Sequence, residues 1–372
     1  MQQKIHIMNN PAEIEQAVAY NTVLPYEIDK TIIPSALQYD KEGVPFVAIY
    51  APQAACVKLN CDDNQISLKK QEDGFWKVQL ALTPGFYFVQ VQIDGVAVLS
   101  PMLPIGFGSS RPYNFLEITP MEGFCLLKDI PHGSVSHEYY FSSATGSYET
   151  CLVYTPPDYV KDDQSYPVLY LQHGHGENET SWMWQGKVNF ILDNLLAAGK
   201  AKPMIVVMNN GMVHMKDSDG SIRIDHHAFE KQLLKDTIPF IEQKYRIRPG
   251  RDNHAMAGLS MGSVQTSIIT FKHPDIFAWI GLFSGFMQDV ITPQNDMHLH
   301  QLHKQAQTFN RDTRLFFRGM GRDDQFFSRF LEDDKLCNEW NIKRVRKEYS
   351  GKHDWNVWRK CIRDFLQLLF QE

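Results

Sequence analysis

The sequence predicts an α/β protein in two parts: a small all-β sandwich, then a larger parallel-sheet domain covered with helices. Three observations carry this. Up to about residue 120, short runs rich in Val, Ile and aromatic residues alternate with Gly and Pro turns, and no convincing helical pattern interrupts them. After about residue 135, apolar strand-length runs alternate with amphipathic helical patterns, which argues for a parallel sheet covered on both faces. Between one of those strands and the next helix stands Gly258-Leu259-Ser260-Met261-Gly262, a G-x-S-x-G pattern.

Residues 1–34 form an N-terminal extension with one candidate helix around Pro11 to Tyr20. Residues 35–120 read as an Ig-like antiparallel sandwich, with strands in VPFVAIYAP, CVKLNC, GFWKVQLAL, GFYFVQVQIDG and VAVLSP. Phe86, Phe88, Val89, Val91 and Ile93 follow a rough period of two that sets one face on a core, and Trp76 reads as packing within the sandwich. From Pro101 to Gly133 the Pro and Gly content suits a linker or strap, with the linker itself set at 121–134. In 135–372, strands are expected in PVLYLQHG, KPMIVVMNNG, HAMAGLS, WIGLFSG and TRLFFRGMG. Helices are expected over Val188–Gly199, Ala228–Tyr245, Ser263–Lys272, Gln325–Trp340 and Val357–Phe370. Ligand sites in such sheets lie at the carboxyl ends of the strands.

Composition narrows the partners. With 43% apolar residues, 22% charged residues and a net charge of −6, the chain resembles an ordinary globular protein. That balance argues against nucleic acid or anionic membrane as the main partner and suits a neutral substrate. No apolar run approaches the roughly 18 residues needed to cross a bilayer. MQQKIHIMNNPAEIEQ lacks the apolar core of a secretory signal, so a natural start at Met1 points to the cytoplasm. The six cysteines form no C-x-x-C pair, so neither a zinc site nor a disulfide framework is indicated. His214, His226 and His227 match no metal-ligand spacing, and no cofactor is implied. Composition is compatible with a homo-oligomer.

Ser260 falls just after a predicted strand and just before a predicted helix, the setting of a nucleophile on a sharp turn in an α/β-hydrolase domain. A serine hydroxyl is a weak nucleophile at neutral pH and needs a base, and the base needs an orienting acid. Of the downstream histidines, His273 ends the helix after the turn, and His298, His300 and His303 lie in a polar stretch that reads as a surface insertion. His353, in the loop GKHDW after VRKEYSG and before the last helix, stands where the base belongs. The acid is expected after TRLFFRGMG, where Asp323 and Asp324 stand in tandem and spacing does not separate them. Glu332, Asp333 and Asp334 read as the solvated face of the following helix. For the oxyanion, Met261 N–H is one donor, and Gly174 or His175 in LQHGHGENETSW supplies the other.

YPVLYLQHGHGENETSW, ILDNLLAAGKAKPMIVVMNNG, LLKDTIPFIEQKYRI, AGLSMGS and GKHDWNVWR resemble, in order, the carbohydrate esterase family of feruloyl and acetyl xylan esterases. VPFVAIYAPQAACVKL and DGFWKVQL resemble the E-set domains that precede some of its members. The resemblance implies a Ser-His-Asp triad of Ser260, His353 and, through Gly321-Arg322-Asp323-Asp324, Asp324. It also implies acylated oligosaccharides or small esters as substrates, and short imported oligosaccharides suit a cytoplasmic protein better than polymer. Two positions depart from the family: Ser263 where GLSMGG is usual, and Lys352 where GGHDW is usual.

Trp182 and Trp355 are the candidates to line the substrate pocket, while core packing suits Trp184 and Trp358 at least as well. Two other readings compete with the first. One is a siderophore trilactone esterase, which also pairs a sandwich with a hydrolase domain. The other is an inactive hydrolase fold that binds carbohydrate.

Overall fold

The computed structural model describes residues 35–62, 64–118, 123–216, 219–288 and 297–371. The candidate helix at Pro11 to Tyr20 lies outside them. The chain divides into two compact units, Met1–Lys128 and Asp129–Glu372.

In the first unit a four-stranded sheet orders Leu37–Tyr39, Pro45–Tyr50, Phe75–Gln79 and Lys69–Lys70. A six-stranded sheet orders Asn64–Ser67, Val57–Cys61, Gly85–Ile93, Arg111–Ile118 and Ile105–Gly108, with Val96–Val98 also paired to Gly85–Ile93. Val47, Ile49, Val57, Leu59, Val89, Val91 and Leu116 form the core. Trp76 joins it, donating its indole N–H to the Ala51 carbonyl at 2.9 Å.

Two expectations change here. The long strand is apolar on both faces: Val89 and Val91 enter the core with Tyr87 and Ile93 packed on it, whereas Phe86 and Phe88 point the other way. Phe86 packs on Phe115 at 5.0 Å and Phe88 on Tyr113 at 4.4 Å. And much of Pro101–Gly133 is sandwich: Ile105–Gly108 and Arg111–Ile118 form a hairpin. Its turn residues Ser109 and Ser110 have φ of 50° and 59°, so the Gly and Ser content serves a tight turn.

The second unit is built on an eight-stranded sheet. Its strands are β1 (Ser134–Ser142), β2 (Ser147–Thr155), β3 (Val168–Gln172), β4 (Ile205–Asn209), β5 (His254–Leu259), β6 (Trp279–Phe283), β7 (Leu315–Gly321) and β8 (Val345–Tyr349). The order is β1-β2-β4-β3-β5-β6-β7-β8, antiparallel at β1-β2 and β2-β4 and parallel elsewhere. Strands β3, β4, β5 and β6 are buried at every residue, as expected where helices cover both faces. The helices are α1 (Val188–Ala197), α2 (His226–Gln232), α3 (Ile238–Lys244), α4 (Met261–Lys272), α5 (Met297–Lys304), α6 (Ala306–Asp312), α7 (Phe327–Glu339) and α8 (Trp355–Leu368). Leu233–Thr237 joins α2 to α3 as a π turn just before Pro239, where a proline lacking N–H breaks the regular ladder.

Two polar segments are more buried than their composition predicts. The histidine-rich stretch contains α5, which leaves His300 and His303 exposed as expected but buries His298, Leu299 and Leu302, and the His298 Nε2 pairs with the Met287 carbonyl at 2.8 Å. Asp333 and Asp334 are buried, not a solvated face: they meet Arg318, which is fully buried on β7, at 3.0 and 2.7 Å. Arg346 also reaches Asp334 at 2.5 Å, and both guanidinium groups lie over the Phe330 ring. Glu332 is exposed as expected, whereas the charge of Asp333 and Asp334 suggested the wrong environment, because a cation on the neighbouring strand compensates them.

A second buried polar tie crosses the ends of β3 and β4. Gly211 N–H donates to His173 Nε2 at 2.9 Å, which leaves the proton on Nδ1, 2.8 Å from the Gly174 carbonyl. Burial lowers the His173 pKa to about 4, so the ring is neutral in the folded chain at neutral pH.

Replacing Arg318 with Met strands Asp333, while Asp334 keeps Arg346, and is expected to destabilise the chain by about 3–5 kcal/mol in urea denaturation; a loss below about 1 kcal/mol would refute the compensation. His173 makes a pH-dependent prediction. Its folded pKa lies below the ordinary value, so its contribution is complete above about pH 6.5 and lost as pH falls toward 4. The penalty of His173→Gln should therefore shrink by about 2–3 kcal/mol between pH 7.5 and pH 4.5. An equal penalty at both values would show that the ring is not held neutral.

Candidate active site

Ser260 sits between the last residue of β5 and the first of α4, with φ 49° and ψ −117°. A non-glycine residue reaches that conformation only at a cost of order 1–3 kcal/mol. The flanking glycines make it attainable. A Cβ on Gly258 would lie 2.3 Å from the Gly262 carbonyl oxygen, and one on Gly262 would lie 2.5 Å from the His173 oxygen. The turn is so tight that only hydrogen fits at either position. The backbone N–H of Ser260 donates to Phe283 at the end of β6 at 2.9 Å, tying the turn to the sheet.

His353 comes from the loop between β8 and α8, and Asp324 from the turn after β7. His353 Nε2 lies 2.9 Å from Ser260 Oγ, and His353 Nδ1 lies 2.8 Å from Asp324 Oδ2. The carboxylate side chain is fully buried, whereas the imidazole is 19% exposed. Asp324 Oδ1 accepts the Phe326 N–H at 2.9 Å, which fixes the carboxylate plane. The tandem aspartates are thereby separated: Asp323 is exposed and uses its N–H on the Gly351 carbonyl at 3.0 Å. The two loops cross at glycines, since a Cβ on Gly321 would lie 2.2 Å from the Gly351 oxygen. Asp354 caps α8 by accepting the Val357 N–H at 3.2 Å, and burial raises its pKa. Lys352 points to solvent.

The loop after β3 lies against the serine: a Cβ on Gly174 would be 3.6 Å from Ser260 Cβ. Of the two amides predicted there, Gly174 N–H is already committed to Glu177 Oε2 at 2.8 Å. His175 N–H has no partner among the described residues, nor does Met261 N–H at the start of α4. Gly174 is thus corrected from donor to spacer, leaving Met261 and His175 as the pair available to a developing oxyanion.

Trp182 and Trp355 do not line a pocket. They are 1% and 0% exposed and pack edge to face at 5.1 Å, and the Trp182 indole N–H donates to the Gln172 carbonyl at 2.8 Å. Trp355 opens α8 on the stripe that carries Trp358, Ile362 and Phe365 into the core, so its place after the base made it look like a pocket residue when it is a packing one. The aromatic rings that touch the base are Phe326 and Trp358, each 5.2 Å from the imidazole and near perpendicular to it. Sequence reasoning missed Phe326, His173 and Glu177. For His173 and Glu177 the available signal was position, beside a glycine that has to approach the nucleophile.

The Esterase family matches residues 142–368. An endo-1,4-beta-xylanase/feruloyl esterase of Xylanibacter ruminicola is 39% identical over 347 residues, covering 89% of this chain and 45% of that protein. The chain thus spans less than half the length of this relative. Among solved structures, the feruloyl esterase module from Clostridium thermocellum is 20% identical with a TM-score of 0.57, covering 68% of this chain and 93% of that one. The enterobactin esterase from Shigella flexneri is 12% identical with a TM-score of 0.62, covering 91% and 97%. These likenesses establish the α/β-hydrolase fold of the second unit. With the family match running from the last residue of β1 to the last residue of α8, the chain belongs to the Esterase family.

Proposed function

We propose that this protein is a serine carboxylic-ester hydrolase that releases feruloyl or acetyl groups from xylan-derived oligosaccharides. The observation that carries the reading is the continuous Ser260–His353–Asp324 chain at 2.9 and 2.8 Å, with the serine in a strained backbone at the carboxyl end of β5. His353 Nε2 takes the Ser260 proton as Oγ attacks the ester carbonyl, and buried Asp324 stabilises the imidazolium and holds its ring. Met261 and His175 N–H groups donate to the carbonyl oxygen as negative charge forms on it. His353 then returns the proton to the departing sugar hydroxyl, and the acyl group stays on Ser260. Water, deprotonated by His353, attacks that acyl-enzyme and frees the acid.

The substrate class rests on the Xylanibacter relative, whose name combines xylanase and feruloyl esterase. The enterobactin esterase, at 12% identity, shares the fold and supports a trilactone substrate less. An inactive carbohydrate binder would have no use for a strained serine paired to a base.

Purified protein is expected to hydrolyse methyl ferulate and 4-nitrophenyl acetate, and a catecholate trilactone far more slowly; the opposite preference would favour the siderophore reading. Ser260→Ala should remove at least about a thousandfold of kcat, and Asp324→Asn roughly ten-thousandfold by imposing the wrong tautomer on His353. Equal slow hydrolysis by wild type and Ser260→Ala would rule out this mechanism.

A further inference from the structure

The loop after β3 contains a buried carboxylate that the triad does not use. Glu177 is 7% exposed, and its own N–H closes a turn on the Gly174 carbonyl at 3.2 Å. A carboxylate in that position is costly unless its oxygens are met by donors. Here they are. Oε2 accepts Gly174 N–H at 2.8 Å, while Oε1 accepts the Trp355 indole N–H at 3.2 Å and lies 3.4 Å from the Gln185 amide. One side chain therefore ties together the loop after β3, the segment leading into α1 and the first residue of α8.

The consequence falls on two catalytic elements. Gly174 has its N–H turned to Glu177 and its carbonyl held by His173 Nδ1 at 2.8 Å, so the peptide ahead of His175 is fixed from both sides. That leaves His175 N–H without an internal partner, one residue after the glycine whose Cβ would lie 3.6 Å from Ser260 Cβ. At the other end, Trp355 stands two residues after His353, and its ring is wedged between Trp182 and Trp358 at 5.1 Å each.

We propose that Glu177 is a positioning residue for ester hydrolysis, a clamp that sets the second oxyanion donor and the base loop against each other through Gly174 and Trp355. The inference rests on Ser260 being the nucleophile. Glu177 acts only through its partners. A glutamine of nearly the same shape has a single acceptor oxygen, so its amide N–H would oppose either the Gly174 N–H or the indole N–H. One segment would then shift, and misplacing a reacting group by about 1 Å costs up to roughly a hundredfold in rate.

The test uses the full chain, with E177Q and W355F measured beside wild type for hydrolysis of 4-nitrophenyl acetate. A fluorophosphonate that labels reactive serines counts active sites, and an alkyl boronic acid, which binds as a tetrahedral adduct, probes the oxyanion donors. E177Q is expected to lose about tenfold or more in kcat per labelled site with KM within about twofold, and to weaken boronate binding by a similar factor. W355F keeps a ring but drops the N–H, and should lose less in the same direction. A merely structural role would lower the melting temperature while leaving kcat per labelled site and boronate affinity at wild-type values, and that result overturns the clamp. If E177Q does not fold, W355F decides, unchanged values again overturning it. Wild type that neither labels nor hydrolyses would sink the esterase reading itself, whereas active wild type with an unaffected E177Q sinks only the clamp.

Discussion

The site depends on one constraint: a serine with φ 49° and ψ −117° has to survive at the end of β5. That conformation lifts Oγ out of the sheet toward the loops and aims the first amides of α4 at the same space. It also brings backbones together until no side chain fits, with Gly258 against Gly262, and Gly262 against His173. The strain persists because the surroundings over-determine it. The Ser260 N–H is bound to β6, and its carbonyl accepts from both the N–H and the Oγ of Ser263, at 3.0 and 2.6 Å. Those bonds help hold the residue in a conformation that it would otherwise leave.

Around that fixed point the other functional groups arrive from the carboxyl ends of different strands. His353 follows β8, Asp324 follows β7 and the His175 loop follows β3. Parallel strands deliver all these ends to one edge of the sheet, so residues nearly a hundred positions apart in sequence meet within hydrogen-bond distance. The approach is again backbone-limited, since Gly321 and Gly351 cross where any Cβ would collide. The fully buried strands β3, β5 and β7 beneath and glycines at the crossings leave little freedom to the loops that matter. Such preorganisation favours charge stabilisation over binding strength.

Much of this was legible in the sequence because the governing signals are local. Strand β5, the elbow and α4 follow from an apolar run, two glycines and a helical period, and His353 from its loop before the last helix. What failed was anything decided by a distant partner. Asp333 and Asp334 looked like solvent-facing acids because Arg318 arrives from β7. Asp323 and Asp324 were equivalent by spacing, and only the turn after β7 exposes one and buries the other. Trp182 and Trp355 sit beside functional residues in sequence, yet each turns inward because a backbone carbonyl or a carboxylate waits for its indole N–H. Adjacency along the chain predicts adjacency of backbone, while side-chain direction is set by the packing of the third dimension.

Ser263 shows the same principle at a position where the chain departs from its relatives. An added side chain under the elbow would seem to threaten its packing, and Ser263 is indeed fully buried. Space for it comes from Gly285, 22 positions later: a Cβ there would fall 1.5 Å from Ser263 Oγ and 2.2 Å from its Cβ. The hydroxyl is not stranded either, because it donates to the carbonyl of the nucleophile itself. Ser263 and Gly285 therefore behave as a pair, one filling what the other leaves open. A residue larger than glycine at 285 would push on Ser263 and, through its bond to the Ser260 carbonyl, on the strained turn, so this departure adds a constraint to the elbow instead of relaxing it.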